Sequence, residues 1–253
     1  MSIVVHAAAL KQVPALEYNP FEAIKTNVLG SYNVIRACVH CKVPKLIALS
    51  TDKAASPVNL YGATKLCQDK LMVAANHMYP DLKVSVVRYG NVFGSRGSVI
   101  PVFLRQKEEH ARLTITDSRM SRFTIMLPEG VAFVLHCLHK MRGGEIFIPK
   151  IPSYRIGTLA NAIANGVCQV DEIGIRPGEK LHEVMIPEDE ACNTLDFGDH
   201  FTILPGASWY IDKRKALIEE DGGVPTPAGF SYSSGANTDW IDEHFIRKQI
   251  ETQ

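Results

Sequence analysis

Apolar positions along the chain switch between the short unbroken runs of a buried strand and the three-to-four-residue spacing of an amphipathic helix. Ile3-Val4-Val5-His6-Ala7-Ala8-Ala9 is rich in branched residues and reads as a strand buried on both faces. From Pro20 to Cys41 apolar side chains recur at helical intervals, with Asn19 as the cap and Pro20 at the first helical position. Lys45 to Ser50 (KLIALS) is a second buried strand, Tyr61 to Met78 another amphipathic helix, and Val84 to Tyr89 (VSVVRY) a third strand. Strand, helix, strand, helix, strand predicts a parallel sheet with helical crossovers: an α/β, Rossmann-like, doubly wound core.

Beyond Asn91 the pieces shorten, and glycine and proline breaks appear at Gly94, Gly97 and Pro101, which predicts a smaller interleaved region. A helix over Glu129 to Met141, a strand over Glu145 to Pro149, a helix over Ile156 to Ala164 and a segment from Ile173 to Ile186 follow. The stretch from Asp196 to Gln253 has weak periodicity and predicts no definite elements. The expected organisation places 1–95 in a nucleotide-binding core and 96–195 mainly in a substrate-binding region, with the strand near 145–149 returning to the core. Residues 196–253 form a tail packing on the substrate region.

Composition narrows the function classes. The 253 residues, 46% hydrophobic, are enough to bury a core. Lysine plus arginine (27) equals aspartate plus glutamate (27), so no overall field draws the chain to nucleic acid or an anionic membrane, and an anionic ligand has to be held by local positive groups. The apolar stretches fall short of the roughly 20 residues that span a bilayer, and no signal peptide is evident, so a cytoplasmic protein is expected. Six cysteines (Cys38, Cys41, Cys67, Cys137, Cys168, Cys192) sit in apolar surroundings and are expected reduced and buried. Cys38 and Cys41 form a C-x-x-C inside a helical pattern, with no second pair or histidine cluster beside it in the sequence, so no metal is expected.

Candidate chemistry begins with Tyr61 and Lys65, four apart in YGATK, which project from one helix face. An ammonium beside a phenol favours the phenolate and lowers the tyrosine pKa toward a value useful for taking a hydroxyl proton. Alone, this spacing is a weak signal, more often chance than catalysis. Ser50-Thr51-Asp52-Lys53 lies at the carboxyl end of the preceding strand, where open α/β sheets place their ligand crevices. Asp52 can give or take a proton and Lys53 can act as a base, although an Asp-Lys pair after a strand is also a common solvated turn.

Five ordered blocks make a specific likeness: HAAALKQVP (His6 to Pro14), STDKA (Ser50 to Ala54), YGATK (Tyr61 to Lys65), VRYGNVFGSRGSV (Val87 to Val99) and IRPGEKLHE (Ile175 to Glu183). Together they resemble the soluble, inverting UDP-N-acetylglucosamine 4,6-dehydratases of the extended short-chain dehydrogenase/reductase family, the lyases that open bacterial pseudaminic acid synthesis. The resemblance implies NADP as cofactor, UDP-N-acetylglucosamine as substrate and a homo-oligomer. It implies that Tyr61 helps remove the carbon-4 hydroxyl proton as hydride passes to NADP, while Lys65 holds the nicotinamide ribose and tunes Tyr61. Lys53 then abstracts the carbon-5 proton, Asp52 protonates the departing carbon-6 hydroxyl, and Thr51 assists by hydrogen bonding. Hydride returns to carbon 6, and carbon 5 is reprotonated from the opposite face. Retaining, membrane-anchored relatives typically carry methionine where this chain has Tyr61.

The same likeness assigns Ala7 and Lys11 to the cofactor edge, Lys11 also to substrate, and Asn91, Arg96, Val99 and Thr116 to the sugar-nucleotide pocket. Arg176 and Glu179 are assigned to phosphate and ribose, with a plain surface charge beside the Pro177-Gly178 turn as the other reading of Arg176. Asn27, within the first long helix, either faces solvent or props the active site; the likeness favours the second. Pseudaminic acid made along such a route serves flagellin glycosylation, though capsular or lipopolysaccharide glycans are equally open. The family begins with a strand, a G-x-x-G-x-x-G turn and a helix, and this sequence carries no such turn before His6. Gly90, Gly94 and Gly97 with Asp117 imitate a dinucleotide fingerprint, but their spacing and position after the Tyr61 helix assign them to a substrate loop. The rival functions are a retaining dehydratase, a 4-epimerase, or an inactive fragment that binds sugar nucleotide or partner subunits.

Overall fold

The branched runs near the start of the chain pair side by side in the computed structural model, which describes residues 1–252. Strands β1 (Ile3–His6), β2 (Lys45–Thr51), β3 (Lys83–Tyr89) and β4 (Ile146–Pro149) lie in that order and run parallel. Beyond β4 the sheet continues antiparallel through β5 (Thr194–Asp196), β6 (His200–Ile203) and β7 (Val224–Pro225), in the order β4-β6-β5-β7. The seven strands are the frame of one compact unit, made of residues 1–89, 131–150 and 184–231.

Helices cover both faces of this sheet. Helix α1 (Gly30–His40) follows a short α-turn at Pro20–Ala23 and a π-helical turn at Ile24–Leu29, and α2 (Leu60–Met78) begins where the Asn59 side chain accepts from the Gly62 N–H. On one face α2 meets the sheet through the Ser50–Asp69 hydrogen bond and through Asn76, which pairs with the N–H and C=O of Val84. On the other face Cys137 and Leu138, late in α3 (Leu127–Lys140), pack on Ile47, Val87 and Phe147. Alternation along β2 and β3 sends successive apolar side chains to opposite faces, so both layers draw on the same short strands.

The second unit comprises residues 90–130, 151–183 and those from Tyr232 onward. It holds a three-stranded sheet (Asn91–Val92, Ser121–Ile125, Ser153–Arg155) and a parallel pair (Arg112–Ile115 with Gln169–Glu172). Its helices Val99–His110, Ile156–Ala164 and Glu243–Glu251 enclose a core of Phe93, Phe103, Leu113, Leu159 and Ile246.

Several expectations are corrected. The β1 strand is not buried on both faces: it ends the sheet among the described residues, and Ile3 and Val5 stay 46% and 47% exposed. The Asn19 side chain caps nothing, because its amide turns back to the Ala15 carbonyl. Cys41, Cys67 and Cys192 are exposed rather than buried, since each falls on a solvent-facing side of its helix or turn, and all six thiols are free. The structure divides the chain at Tyr89–Gly90 rather than at 95, and 196–231 belong to the sheet unit; residue 253 lies outside the described residues.

Candidate active site

The parallel strand β2 delivers Thr51 to its carboxyl end, where the backbone turns into a 3-10 turn of Asp52–Ala54. The Thr51 hydroxyl caps that turn, accepting from the Lys53 N–H at 3.3 Å and donating to Asp52 Oδ1 at 2.8 Å. The same carboxylate oxygen takes a second, charge-assisted hydrogen bond from Lys53 Nζ at 3.1 Å. Asp52 is fully buried, Lys53 about one-fifth exposed, and Asp52 Oδ2 has no hydrogen-bond partner among the described residues. A buried carboxylate oxygen left without a donor is costly, of order 1–3 kcal/mol or more, and so calls for a ligand group or water at that atom.

Helix α2 meets this turn end-on. Gly62 lies so close to the Lys53 carbonyl oxygen that a Cβ there would overlap it. Tyr61 is therefore held beside the turn, and its phenol is hydrogen-bonded to the Thr51 side chain, which links Tyr61, Thr51 and Asp52 in one chain. Burial pushes the phenol up to about 12, against the pull of the Lys53 ammonium and the Thr51 hydrogen bond. The cation acting on Tyr61 is thus Lys53, not Lys65, and the net shift is upward, opposite to the lowering expected from the Tyr61–Lys65 spacing. Four residues apart on one face brings two backbones together, but Lys65 Nζ points to the Leu49 carbonyl and to Gln68 Oε1, both at 2.7 Å. Burial brings the Lys65 ammonium down to about 8.

Behind the site a buried polar layer fixes its parts. Asn27 is wholly buried; its amide accepts from the Leu10 N–H at 2.8 Å and donates to the Leu10 carbonyl and to Thr64 Oγ1. It therefore clamps the loop after β1 onto α2, the propping role rather than the solvent-facing one. Within that loop region Ala7 and Lys11 are exposed. His6 meets Ser31 at 3.0 Å, and burial, helped by Lys65, lowers its pKa. Ser50 donates to Asp69, which pairs with the buried Arg88 guanidinium at 3.3 Å, and Arg88 continues to Glu190 at 2.9 Å and the Met185 carbonyl at 2.8 Å. Sequence reasoning missed this Asp69–Arg88–Glu190 group. The available signal was an arginine inside the apolar β3 run, a residue type almost never buried without a partner.

The second unit contains the other expected residues. Asn91 lies on a short strand paired with Thr124, Val99 opens the Val99–His110 helix, Thr116 contacts Met120 Sδ at 3.1 Å, and Arg96 is exposed. Arg176 is exposed at a turn closed by the Glu179 N–H on the Arg176 carbonyl, and Glu179 Oε2 is buried without a partner among the described residues. Gly90 packs against Phe123, where a Cβ would come within 2.5 Å, and Asp117 pairs with Arg119 at 2.7 Å, which accounts for two members of the imitation fingerprint. A basic group was missed as well. His182, hydrogen-bonded to Ser121 at 2.7 Å, is lowered in pKa by burial and then by Arg122, Arg155 and Arg119 around it. Those arginines come from two segments, 119–122 and 155, and His182 from a third, so no run of charge advertises them.

Among the described residues no helix is long and apolar enough to cross a membrane. A family model described as polysaccharide biosynthesis protein matches residues 1–205. The chain is 52% identical over 251 residues to UDP-N-acetylglucosamine 4,6-dehydratase (inverting) of Campylobacter jejuni, covering 96% of this chain and 74% of that protein. It is 42% identical over 230 residues to a UDP-glucose 4-epimerase of Rickettsia felis, covering 86% of this chain and 67% of that one. The solved structure of Pen from Bacillus thuringiensis matches with a TM-score of 0.87 at 34% identity, over 100% of this chain and 76% of that one. With the Rossmann-type sheet, the ordered motifs and these likenesses in agreement, the chain belongs to the polysaccharide biosynthesis protein family, among its relatives of the UDP-N-acetylglucosamine 4,6-dehydratase (inverting) type.

Proposed function

We propose that the chain removes water across carbons 5 and 6 of UDP-N-acetylglucosamine with inversion at carbon 5, with NADP as cofactor. The observation that carries this reading is the Asp52–Lys53 ion pair at the end of β2, hydrogen-bonded through Thr51 to Tyr61 and retaining one carboxylate oxygen without a partner. Elimination needs an acid for the leaving hydroxyl and a base for the carbon-5 proton, which a plain 4-epimerase does not. Asp52 becomes the acid and Lys53 the base once the Lys53 ammonium hands its proton to the Asp52 carboxylate 3.1 Å away, and Tyr61 takes the carbon-4 hydroxyl proton. Of the groups around the phenol, the Lys53 ammonium favours the deprotonated form that takes this proton. Bound nicotinamide dinucleotide supplies reversible hydride acceptance. Lys65 fits its ribose: two of the three ammonium donors are used on Leu49 and Gln68, which leaves one for a ribose hydroxyl. Ala7 and Lys11 are assigned to the cofactor edge.

Lys11, Asn91, Arg96, Val99, Thr116, Arg176 and Glu179 are assigned to the sugar nucleotide, and the Arg119, Arg122 and Arg155 group supports an anionic ligand on a chain with no net charge. The product suits pseudaminic acid synthesis, and the exposed Tyr18 and Phe21 support a homo-oligomer. The 4-epimerase reading is favoured by the Rickettsia likeness. NMR of the products formed from UDP-N-acetylglucosamine and NADP in D2O separates the two. A 4-keto-6-deoxy sugar, inverted and deuterated at carbon 5 and lost in Lys53→Ala, supports the dehydratase; a 4-epimer without carbon-5 exchange refutes it.

A further inference from the structure

A second cluster of titratable groups, which the proposed reaction does not use, lies in the sheet unit. His136 comes from α3, and Asp199 and His200 come from the turn between β5 and β6 and the start of β6. One ligand-capable atom from each of the three side chains lies within 4.8 Å of the other two. The His200 ring is fixed: its Nδ1 is 2.6 Å from the Asp199 carboxylate, Phe197 stacks on it at 5.0 Å between centroids, and His136 meets it edge-on at 5.5 Å. His136 Nε2 is buried with no hydrogen-bond partner among the described residues, and so is the hydroxyl of Thr202, a residue only 1% exposed. His136, Asp199, His200 and Thr202 line one cavity of about 180 Å³. Two buried polar atoms without partners among the described residues, a costly arrangement, thus belong to residues of one cavity that also collects two imidazoles and a carboxylate.

We propose that this cavity binds a divalent transition-metal ion of the zinc type through His136, His200 and Asp199, with water completing the coordination. Imidazole and carboxylate are the donor set that suits Zn²⁺ and its first-row neighbours, and three protein ligands with one open position is a recurrent zinc arrangement. An ion here joins α3 to the β5–β6 turn, two segments far apart in sequence, and so acts as a staple whose binding energy adds to folding stability. The inference does not depend on the proposed reaction.

The test uses the whole chain, stripped with a chelator and titrated with Zn²⁺ by calorimetry, with Co²⁺ absorption and the melting temperature recorded alongside. One ion per chain is expected, with a rise in Tm and a Co²⁺ spectrum lacking thiolate charge-transfer bands. Asp199→Asn, an exposed position that leaves the core untouched, is expected to weaken binding by about 10- to 100-fold, and His136→Ala by at least as much. The Cys38→Ser, Cys41→Ser double variant is expected to bind as before, which separates this cluster from the C-x-x-C pair. Absence of binding with Zn²⁺ in large molar excess, or binding that persists in both Asp199→Asn and His136→Ala, overturns the proposal.

Discussion

Gly62 is where the helix carrying Tyr61 meets the turn carrying Asp52 and Lys53, and Gly62→Ala tests whether that contact sets the site. An added methyl overlaps the Lys53 carbonyl oxygen and comes within 3.0 Å of the Lys53 carbonyl carbon and of Pro57 Cβ. Two of those atoms are main chain and cannot swing aside, so α2 and the turn have to separate. Overpacking of this kind costs about 1–3 kcal/mol, here toward the top of the range, and the better helix propensity of alanine returns at most about 1 kcal/mol. The net loss of about 2 kcal/mol lowers Tm by about 4–8 °C in a chain of this size. Moving Tyr61 on the order of 1 Å from Lys53 is expected to lower kcat by about 100-fold. Gly30→Ala is the control: its Cβ meets nothing closer than the Lys25 carbonyl oxygen at 3.5 Å, an ordinary contact, so Tm is expected to hold or rise. Thermal melts and dehydratase assays on both variants decide the matter. A Gly62→Ala protein with the melting temperature and turnover of the parent would show that the helix and the turn are not in the contact described.

Arg88→Met leaves the Asp69 carboxylate buried without its counter-charge and is expected to cost about 3–5 kcal/mol in urea unfolding, much of which Arg88→Met with Asp69→Leu recovers. Equal stability of Arg88→Met and parent would remove the pair from the account of how Ser50 is held. Lys65, at about 8 when folded against an ordinary 10.5, binds its proton more weakly in the folded chain than in the unfolded one. Its destabilising effect is therefore full below pH 8 and is relieved as pH rises from about 8 to 10.5. Tyr61 acts in the opposite direction, but only above its ordinary value of 10, and the raised thiols of Cys38 and Cys137 and the lowered Lys213 are common to both proteins, so the comparison with Lys65→Met over pH 8 to 10 isolates Lys65. Across that window the stability of the parent relative to Lys65→Met is expected to rise; parallel curves in chemical denaturation at each pH would contradict the burial described.

The helices and parallel strands were legible because their cause is local. KLIALS and VSVVRY announce buried strands, and the helix that follows KLIALS announces its length by periodicity, although its Asn59 cap went unread. The antiparallel extension was not legible. Strands of two to four residues such as 194–196, 200–203 and 224–225 are too short to show a period, and only pairing with β4 gives them their conformation.

At the site, the sequence by itself determined which chemical groups gather at the end of β2, because Thr51, Asp52 and Lys53 are consecutive and Tyr61 opens the next helix. Only the tertiary structure decided how those groups act on one another. Burial raises the Tyr61 phenol, a backbone carbonyl and Gln68 take up Lys65, and Lys53 becomes the cation beside the phenol. Spacing along a chain fixes which residues are neighbours, whereas desolvation and side-chain direction depend on segments far away in sequence. The same reason hid the His136, Asp199 and His200 cluster: a helix and a hairpin turn some sixty residues apart bring its members together, and no local pattern records that.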